Sequence, residues 1–415
     1  KSKDLEKTIM WALLAARSGD LFGCGQLSSP ELEAQILKIA EEVPTRRFSK
    51  VNRPAKTKRW LHILSGVANV GGHTSLVTRW IGLGGDSDQH SVVLTFQNEC
   101  NVNPLSKAVN STGGKIITLG SEESLMERVI KLRKLAWNDA DFVVLHTHMW
   151  DVVAPIALGI EGGPPVLFVN HADHVFWVGA SVTDLVLNIR KKAEYLTKHY
   201  RGIDRNYQLP IPLTKPSELF GSNNTQRSIR KMVRSSLHIP LEAPVLITIG
   251  SPFKYNPILG LNFLSAAKEI LQKCQDAYLI AIGPEMKDPD WGAAHETTQG
   301  RIIALGSQQG LVKYHLAADL YLEGFPFGSV TALLEACLAG LAPIRAPMTC
   351  PLQFRSDGIA LDGIDSPVDT DDYIWKTVEF LNNREKRVAF GLRFAERVEN
   401  YHCGDNWKEQ LERLI

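Results

Sequence analysis

Between residues 60 and 344 short apolar runs alternate with stretches of helical period, which restricts the chain to α/β architecture. Leu61–Leu64, Ser91–Phe96, Lys115–Leu119, Phe142–Leu145 and Val166–Val169 read as strands. Helical stretches such as 74–83 and 124–137 lie between them. Pro210, Pro212, Pro216 and Pro240, with Gly221-Ser222-Asn223-Asn224, interrupt the pattern, and only a short basic helix over 225–237 is expected there. A second alternation follows, with strands at Val245–Gly250, Ala277–Gly283, Ile302–Gly306, Leu320–Leu322 and Ala342–Ile344. The expected organisation is a helical extension over 1–55, a first doubly wound domain over 56–212 and a connector over 213–242. A second doubly wound domain over 243–385 and C-terminal helices over 386–415 complete it. Such domains bind ligands beyond the carboxyl ends of their strands, so the chemistry is expected in those loops, with the two domains facing a cleft.

A chain of 415 residues has room for two such cores without staples. Lys+Arg number 46 and Asp+Glu 45, a net charge of +1, so no global field draws the chain to nucleic acid. Arg46, Arg47, Lys50, Arg53, Lys56, Lys58 and Arg59 form a local basic connector. It reads as a solvated linker or as a surface for an anionic acceptor or lipid head groups, that is, a peripheral membrane contact. The six cysteines contain no CxxC pair, which disfavours structural zinc and suits a reducing cytoplasm, while leaving disulfides open. No apolar run reaches the ~18 residues of a membrane span. Ile9–Ala16 is short and follows acidic residues, so it reads as part of an amphipathic helix rather than a signal peptide. A cytoplasmic protein is expected.

The segment from Asp319 to Pro343 carries the most chemistry. A strand ends in Glu323-Gly-Phe-Pro-Phe-Gly-Ser329, and a helix starts near Ser329. Ser329 and Thr331 suit a helix cap, and a helix start suits a phosphate. Glu335 lies about one turn along, within reach of ribose hydroxyls. An ordinary strand–turn–helix explains the same residues.

This stretch resembles the nucleotide-sugar motif of GT-B glycosyltransferases. Retaining members carry E-G-F-G-L-P-x-x-E-A, then a small residue and G-x-P. Glu335-Ala336 and Gly340-Leu341-Ala342-Pro343 fit loosely, but the first glutamate of the E-x7-E pair falls on Phe327. Gly324–Ser329 with Thr331 is closer to the P-F-P-F-G-N-T loop of the bacterial cytoplasmic N-glycosyltransferases related to O-GlcNAc transferase. Gly250–Pro257 is similar to that family's segment ending in K-L-N-P, so the resemblance implies that Lys254 contacts donor phosphates. It further implies donor contacts at Gly72, Gln309, Gly328, Ser329, Val330, Thr331 and Glu335, with the nucleobase near Leu305–Gly310.

In the first domain Val70-Gly-Gly-His-Thr74, His146-Thr-His148 and Asn170-His-Ala-Asp-His174 follow strands. The resemblance places His171 on the donor sugar; it leaves retention or inversion open, and an inverting enzyme would need His73, Asp173 or His174 as acceptor base. Asp173 and His174 read equally as a structural pair, and His62 and His90 as ordinary strand-edge residues. The His-x-His spacing admits zinc, but the resemblance implies metal-independent transfer.

The expected function is therefore transfer of a sugar from a nucleotide donor, UDP-linked by the resemblance, to a saccharide, a lipid-linked glycan or a protein. No cofactor is needed beyond the nucleotide-sugar co-substrate. Two rivals share the fold: a nucleotide-sugar epimerase, and a degenerate transferase that only binds a glycan or protein. No GxGxxG opens the first domain, which argues against a dehydrogenase.

Overall fold

The computed structural model describes residues 2–23, 25–45, 57–68, 71–84 and 88–415. Cys24, Val70 and the basic residues from Arg46 to Lys56 lie outside the described residues. The chain divides into one unit over Lys1–Pro212 with Lys408–Ile415 and a second over Leu213–Trp407.

The first unit contains a seven-stranded parallel sheet in the order β3-β2-β1-β4-β5-β6-β7. Its strands are β1 (Lys58–Leu64), β2 (Asp88–Leu94), β3 (Ile116–Thr118), β4 (Phe142–His146), β5 (Val166–Asn170), β6 (Leu185–Asn188) and β7 (Asn206–Gln208). The helices are α1 (Ser2–Phe22), α2 (Pro30–Glu42), α3 (Gly72–Leu83), α4 (Asn103–Ser111), α5 (Leu125–Asp139), α6 (Val153–Leu158) and α7 (Lys192–Arg201). β5 and β6 are buried along their whole length, as expected of parallel strands covered on both faces. Helix starts are written locally. Ser124 and Glu127 form a reciprocal capping box on α5. Ser29 caps α2, whose first residue is Pro30.

The second unit begins with α8 (Asn223–Ser236) and has a five-stranded parallel sheet, β10-β9-β8-β11-β12. The strands are β8 (Val245–Ile249), β9 (Tyr278–Ile282), β10 (Ile302–Ala304), β11 (Leu320–Leu322) and β12 (Ala342–Ile344). Its further helices are α9 (Phe263–Lys273), α10 (Pro289–Thr297), α11 (Val312–Ala317), α12 (Val330–Leu338), α13 (Thr370–Asn382) and α14 (Arg384–His402). α15 (Gly404–Glu412) carries the chain back to the first unit, where Lys408 Nζ donates to Gly84 O (3.3 Å). Both sheets reverse their winding once, between β1 and β4 and between β8 and β11. Loops at these reversals are where doubly wound sheets open a ligand crevice.

Two stretches read differently in three dimensions. Residues 213–242, expected as a connector, belong to the second unit. Arg230 and Arg234 of α8 fork onto Asp319 (2.7 Å each), and Arg234 also donates to the carbonyls of Ala317, Leu241 and Ala243. The N-terminal helices are part of the first core, through Ile9, Ala16, Ile36 and Ala40. Glu6 accepts from Leu125 N and Met126 N at the start of α5 (2.9 Å each). Buried Glu33 accepts from the backbone N–H groups of Gly179, Ala180 and Ser181.

Arg133 is the central tie of this layer. It is 1% exposed and donates to the carbonyls of Ala40, Val43, Ile156 and Ala157 and to Thr45 Oγ1. Burial pulls its pKa down to about 10, still charged at neutral pH. Arg133→Leu strands those carbonyls, each costing about 1–3 kcal/mol when unsatisfied. The expected loss is at least ~3 kcal/mol in urea unfolding, and a loss under ~1 kcal/mol would show that the tie is dispensable.

Candidate functional site

In the first unit the strand ends are braced by a carboxylate that the sequence did not single out. Fully buried Asp151 accepts from Ser65 Oγ (2.6 Å), Thr95 Oγ1 (2.5 Å) and Val153 N (2.9 Å). It thereby joins the ends of β1, β2 and β4. Burial raises its pKa, against the opposing hydrogen bonds. Ser65 Oγ also accepts from His148 N (2.8 Å), which sets the turn after β4.

His73 and His171 meet with ring centroids 4.5 Å apart. His73 stands in the first turn of α3, after Gly71, whose φ of +139° favours glycine. Its Nε2 lies 2.7 Å from His146 O. A carbonyl only accepts, so the proton of neutral His73 sits on Nε2 and the lone pair on Nδ1. His171 Nδ1 lies 3.2 Å from Val169 O, so its lone pair sits on Nε2. Burial first, then the neighbouring histidine, pulls the His73 pKa down to about 3. Burial likewise takes His171 to about 4. Both rings are therefore neutral acceptors at pH 7, better suited to orienting a hydroxyl than to holding its proton. A bound anion beside them would raise both values. Gly72 opens α3 immediately before His73.

Asp173 and His174 are drawn together beneath the same loop. Arg190 donates to both Asp173 oxygens (3.0 and 2.5 Å), and His174 Nδ1 is 3.4 Å from Oδ1. Burial opposes ionisation of Asp173, but the His174 hydrogen bond and the Arg190 charge outweigh it, and its pKa falls. This carboxylate stays ionised and anchored, which makes it a positioning group for the loop.

His62 and His90, expected as strand-edge residues, are interior. His62 bridges His90 Nδ1 (2.9 Å) and His146 Nε2 (3.0 Å), and all three rings are at most 1% exposed. Among the described residues no group of three or more His, Cys, Asp or Glu is arranged to hold a metal ion. Cys100, Cys274, Cys337, Cys350 and Cys403 are free thiols.

In the second unit the loops after β8 and β11 meet. Lys254 Nζ donates to Gly328 O (3.1 Å) and Ser329 Oγ (3.2 Å) and lies 4.8 Å from the Phe327 ring centroid. Ser329 holds the N-cap position of α12, but its side chain makes no cap bond and receives the ammonium instead. Val330 and Thr331 form the first turn of α12, where N–H groups have no acceptor within the helix. The lysine, the hydroxyl and the helix start thus converge, an arrangement suited to a phosphate. Phe327 stacks on Phe354 (4.6 Å) and meets Phe253 edge-on (6.0 Å).

Glu335 lies farther along α12, and its charge acts on buried His315, whose pKa burial takes down to about 4. Gln309 is exposed on the loop after β10, while its neighbour Gln308 bonds Leu305 O and Tyr314. Gly328 has a packing role. A Cβ there would stand 2.5 Å from Glu323 Oε1 and 2.7 Å from Ser356 Oγ. Glu323 is a second residue that sequence reasoning missed. It is 1% exposed, accepts from Ala346 N through Oε2 (2.9 Å) and lies against Gly328. Counting E-x7-E back from Glu335 lands on Phe327, four residues past it.

Compared by sequence alone, the chain matches no family model and no curated protein. By structure it is similar to several solved proteins. A mutant O-GlcNAc transferase of Thermobaculum terrenum matches with TM-score 0.60 and 13% identity, over 93% of this chain and 74% of that one. A glycosyltransferase of Rickettsia africae matches with TM-score 0.65 and 12% identity, over 86% and 98%. Anabaena HepE in complex with UDP-glucose matches with TM-score 0.60 and 14% identity, over 85% and 98%. Likeness at this identity is evidence of fold. Two parallel sheets, each doubly wound about one reversal, together with these neighbours, show that the chain has the two-domain α/β fold of the GT-B glycosyltransferases.

Proposed function

We propose that the chain transfers a hexosyl or N-acetylhexosaminyl group from a UDP-sugar to an acceptor hydroxyl or amide. The observation that carries this reading is the convergence of Lys254, Ser329 and the start of α12. In the reaction the bond from sugar C1 to the diphosphate oxygen breaks, and a bond from C1 to the acceptor atom forms. The electron pair stays on the leaving diphosphate, where Lys254 and the α12 N–H groups meet the new charge, and the acceptor atom's proton passes to a diphosphate oxygen or to water. That electrostatic role needs no metal. Glu335 holds the ribose, the loop with Gln309 lies by the nucleobase, and Gly328 keeps the phosphate loop close-packed. On the acceptor side Gly72 admits close approach, and His73 and His171 orient the nucleophile. Asp173 and His174 hold the loop that carries His171.

The donor assignment draws support from neighbours that bind UDP-glucose and UDP. The acceptor proposed first is a saccharide, with lipid-linked glycans and protein side chains after it. Neighbours named for lipopolysaccharide synthesis support a glycan acceptor, free or lipid-linked. No helix among the described residues is long and apolar enough to cross a membrane. The proposed place of action is the cytoplasm, where nucleotide-sugars are made.

A thermal-shift screen of nucleotides and nucleotide-sugars tests the reading. A ligand at ~100 times its Kd adds about 2.7 kcal/mol of stability. UDP or one UDP-sugar is expected to raise Tm, and incubation with acceptors then to release UDP. No response to any nucleotide would sink the transferase reading. A bound sugar that isomerises without acceptor would replace it with the epimerase.

A further inference from the structure

The outer face of α7 and the adjoining edge strand β7 carry a surface that the donor chemistry does not use. The chain has nine tyrosines. Tyr195, Tyr200 and Tyr207 are 60%, 56% and 48% exposed, and the other six are buried or half-buried. Every exposed tyrosine therefore lies within this one short segment. Tyr195 packs on His199 (ring centroids 4.3 Å) and meets Tyr200 edge-on (6.3 Å), so these three rings are joined, with Tyr207 on the adjoining edge strand. Clustering of this kind is not the scattered exposure that surfaces normally show.

The surrounding charge is positive. Lys191, Lys198 and Arg205 are exposed. Of the two acids within residues 190–208, Glu194 accepts from Gln208 N (2.6 Å) and is held against the edge strand. The other, Asp204, bridges Lys198 at 3.3 Å, with both groups more than half exposed, a pair worth little. Among the described residues 190–208 no aliphatic side chain is exposed, since Leu196 and Ile203 are half-buried. A lipid surface would call for them. Tyrosine rings offer a flat apolar face with a hydroxyl at the tip, which matches a sugar ring with its C–H face and peripheral hydroxyls.

The platform is also rigidly tied to the candidate site. Arg190, just before α7, grips Asp173. Arg201, its last residue, donates to the carbonyls of Asp173 (3.1 Å) and Val175 (2.7 Å) and stacks over Trp177. Both ends of a helix about 15 Å long are thus fastened to the loop of His171.

We propose that this face binds the acceptor as an extended, negatively charged oligosaccharide, with the tyrosines stacking on sugar rings and the cations meeting its anionic groups. This rests on the transferase reading and narrows its acceptor to an anionic glycan. The test uses the full chain and a heparin-derived hexasaccharide as probe, with neutral maltohexaose and poly(U) as comparators. The Y195S/Y200S/Y207S variant keeps every charge. It is expected to bind the anionic probe about tenfold or more weaker than the wild type. Its UDP thermal shift is expected to be unchanged, which reports the fold and the donor reading separately. Three outcomes would overturn the proposal: no binding of the probe, binding equal in the variant, or tyrosine-dependent binding of poly(U) that exceeds that of the saccharide.

Discussion

Acidification from pH 7 to pH 5 is expected to unfold the first unit, because burial holds five of its histidines neutral, three of them in one row. His62, His90 and His146 are at most 1% exposed and bonded in a row. Burial pushes all three pKa values down, His90 to about 4 and the others well below 6.5. The sign follows from proton uptake. Below pH 6.5 the unfolded chain binds protons that the folded one refuses, so stability falls as pH falls. Each group removes about 1.4 kcal/mol per pH unit once well below 6.5. Three together remove about 6 kcal/mol at pH 5, comparable with the whole stability of a typical domain. Urea midpoints by circular dichroism between pH 7.5 and 5 measure this directly. His90→Gln should reduce the slope by about a fifth, because His73 and His171 also refuse protons across that window. A midpoint flat across that window would mean that the row is protonated or solvated in the folded chain.

That row also shows where sequence reasoning stops. The strands that hold it were legible in their apolar cores at Leu61–Leu64, Val92–Leu94 and Phe142–Leu145, while the expected strands stopped one residue short of His90 and His146. Which residues touch depends on register, and register is not written in any one strand. In the parallel pairing His90 stands opposite Trp60, and His146 opposite Leu64. Each is two residues from His62 along the strand, hence on the same face and diagonal to it. Three histidines far apart in sequence become one stack. β7 escaped notice for a different reason: Asn-Tyr-Gln at a sheet edge has neither apolar content nor alternation. The α12 start was legible because a strand, a Gly/Pro loop and a helix follow in order. The partner of Ser329 was not, because Lys254 lies on a loop after another strand. Glu323 was passed over because a motif was counted by spacing, while its burial depends on β12 and the loop around Ser356.

Replacing Lys254 by alanine is expected to lower kcat for sugar transfer by about 100-fold or more. The reason lies in when the charge appears. In the bound donor the diphosphate charge is already present, but bond breaking at C1 moves a further charge onto its bridging oxygen. Groups preorganised around that oxygen stabilise the transition state more than the ground state. One such donor is typically worth about 10²–10³ in kcat, or 2.7–4 kcal/mol. Lys254 is preorganised here by three contacts: Gly328 O, Ser329 Oγ and the face of Phe327. The ammonium need not reorganise when the leaving group forms. Half-buried and bonded to loop groups rather than set in the core, Lys254 should cost little stability when removed. The Tm of the unliganded variant should therefore stay near that of the wild type while turnover collapses. Lys254→Arg keeps the charge but replaces a compact ammonium with a planar fork. It should recover UDP binding more than it recovers kcat. Steady-state release of UDP, measured with and without acceptor, reads both effects. If Lys254→Ala keeps more than about a third of wild-type kcat, the α12 start is not where the leaving group's charge is met. The donor would then have to be sought at another loop of the second unit.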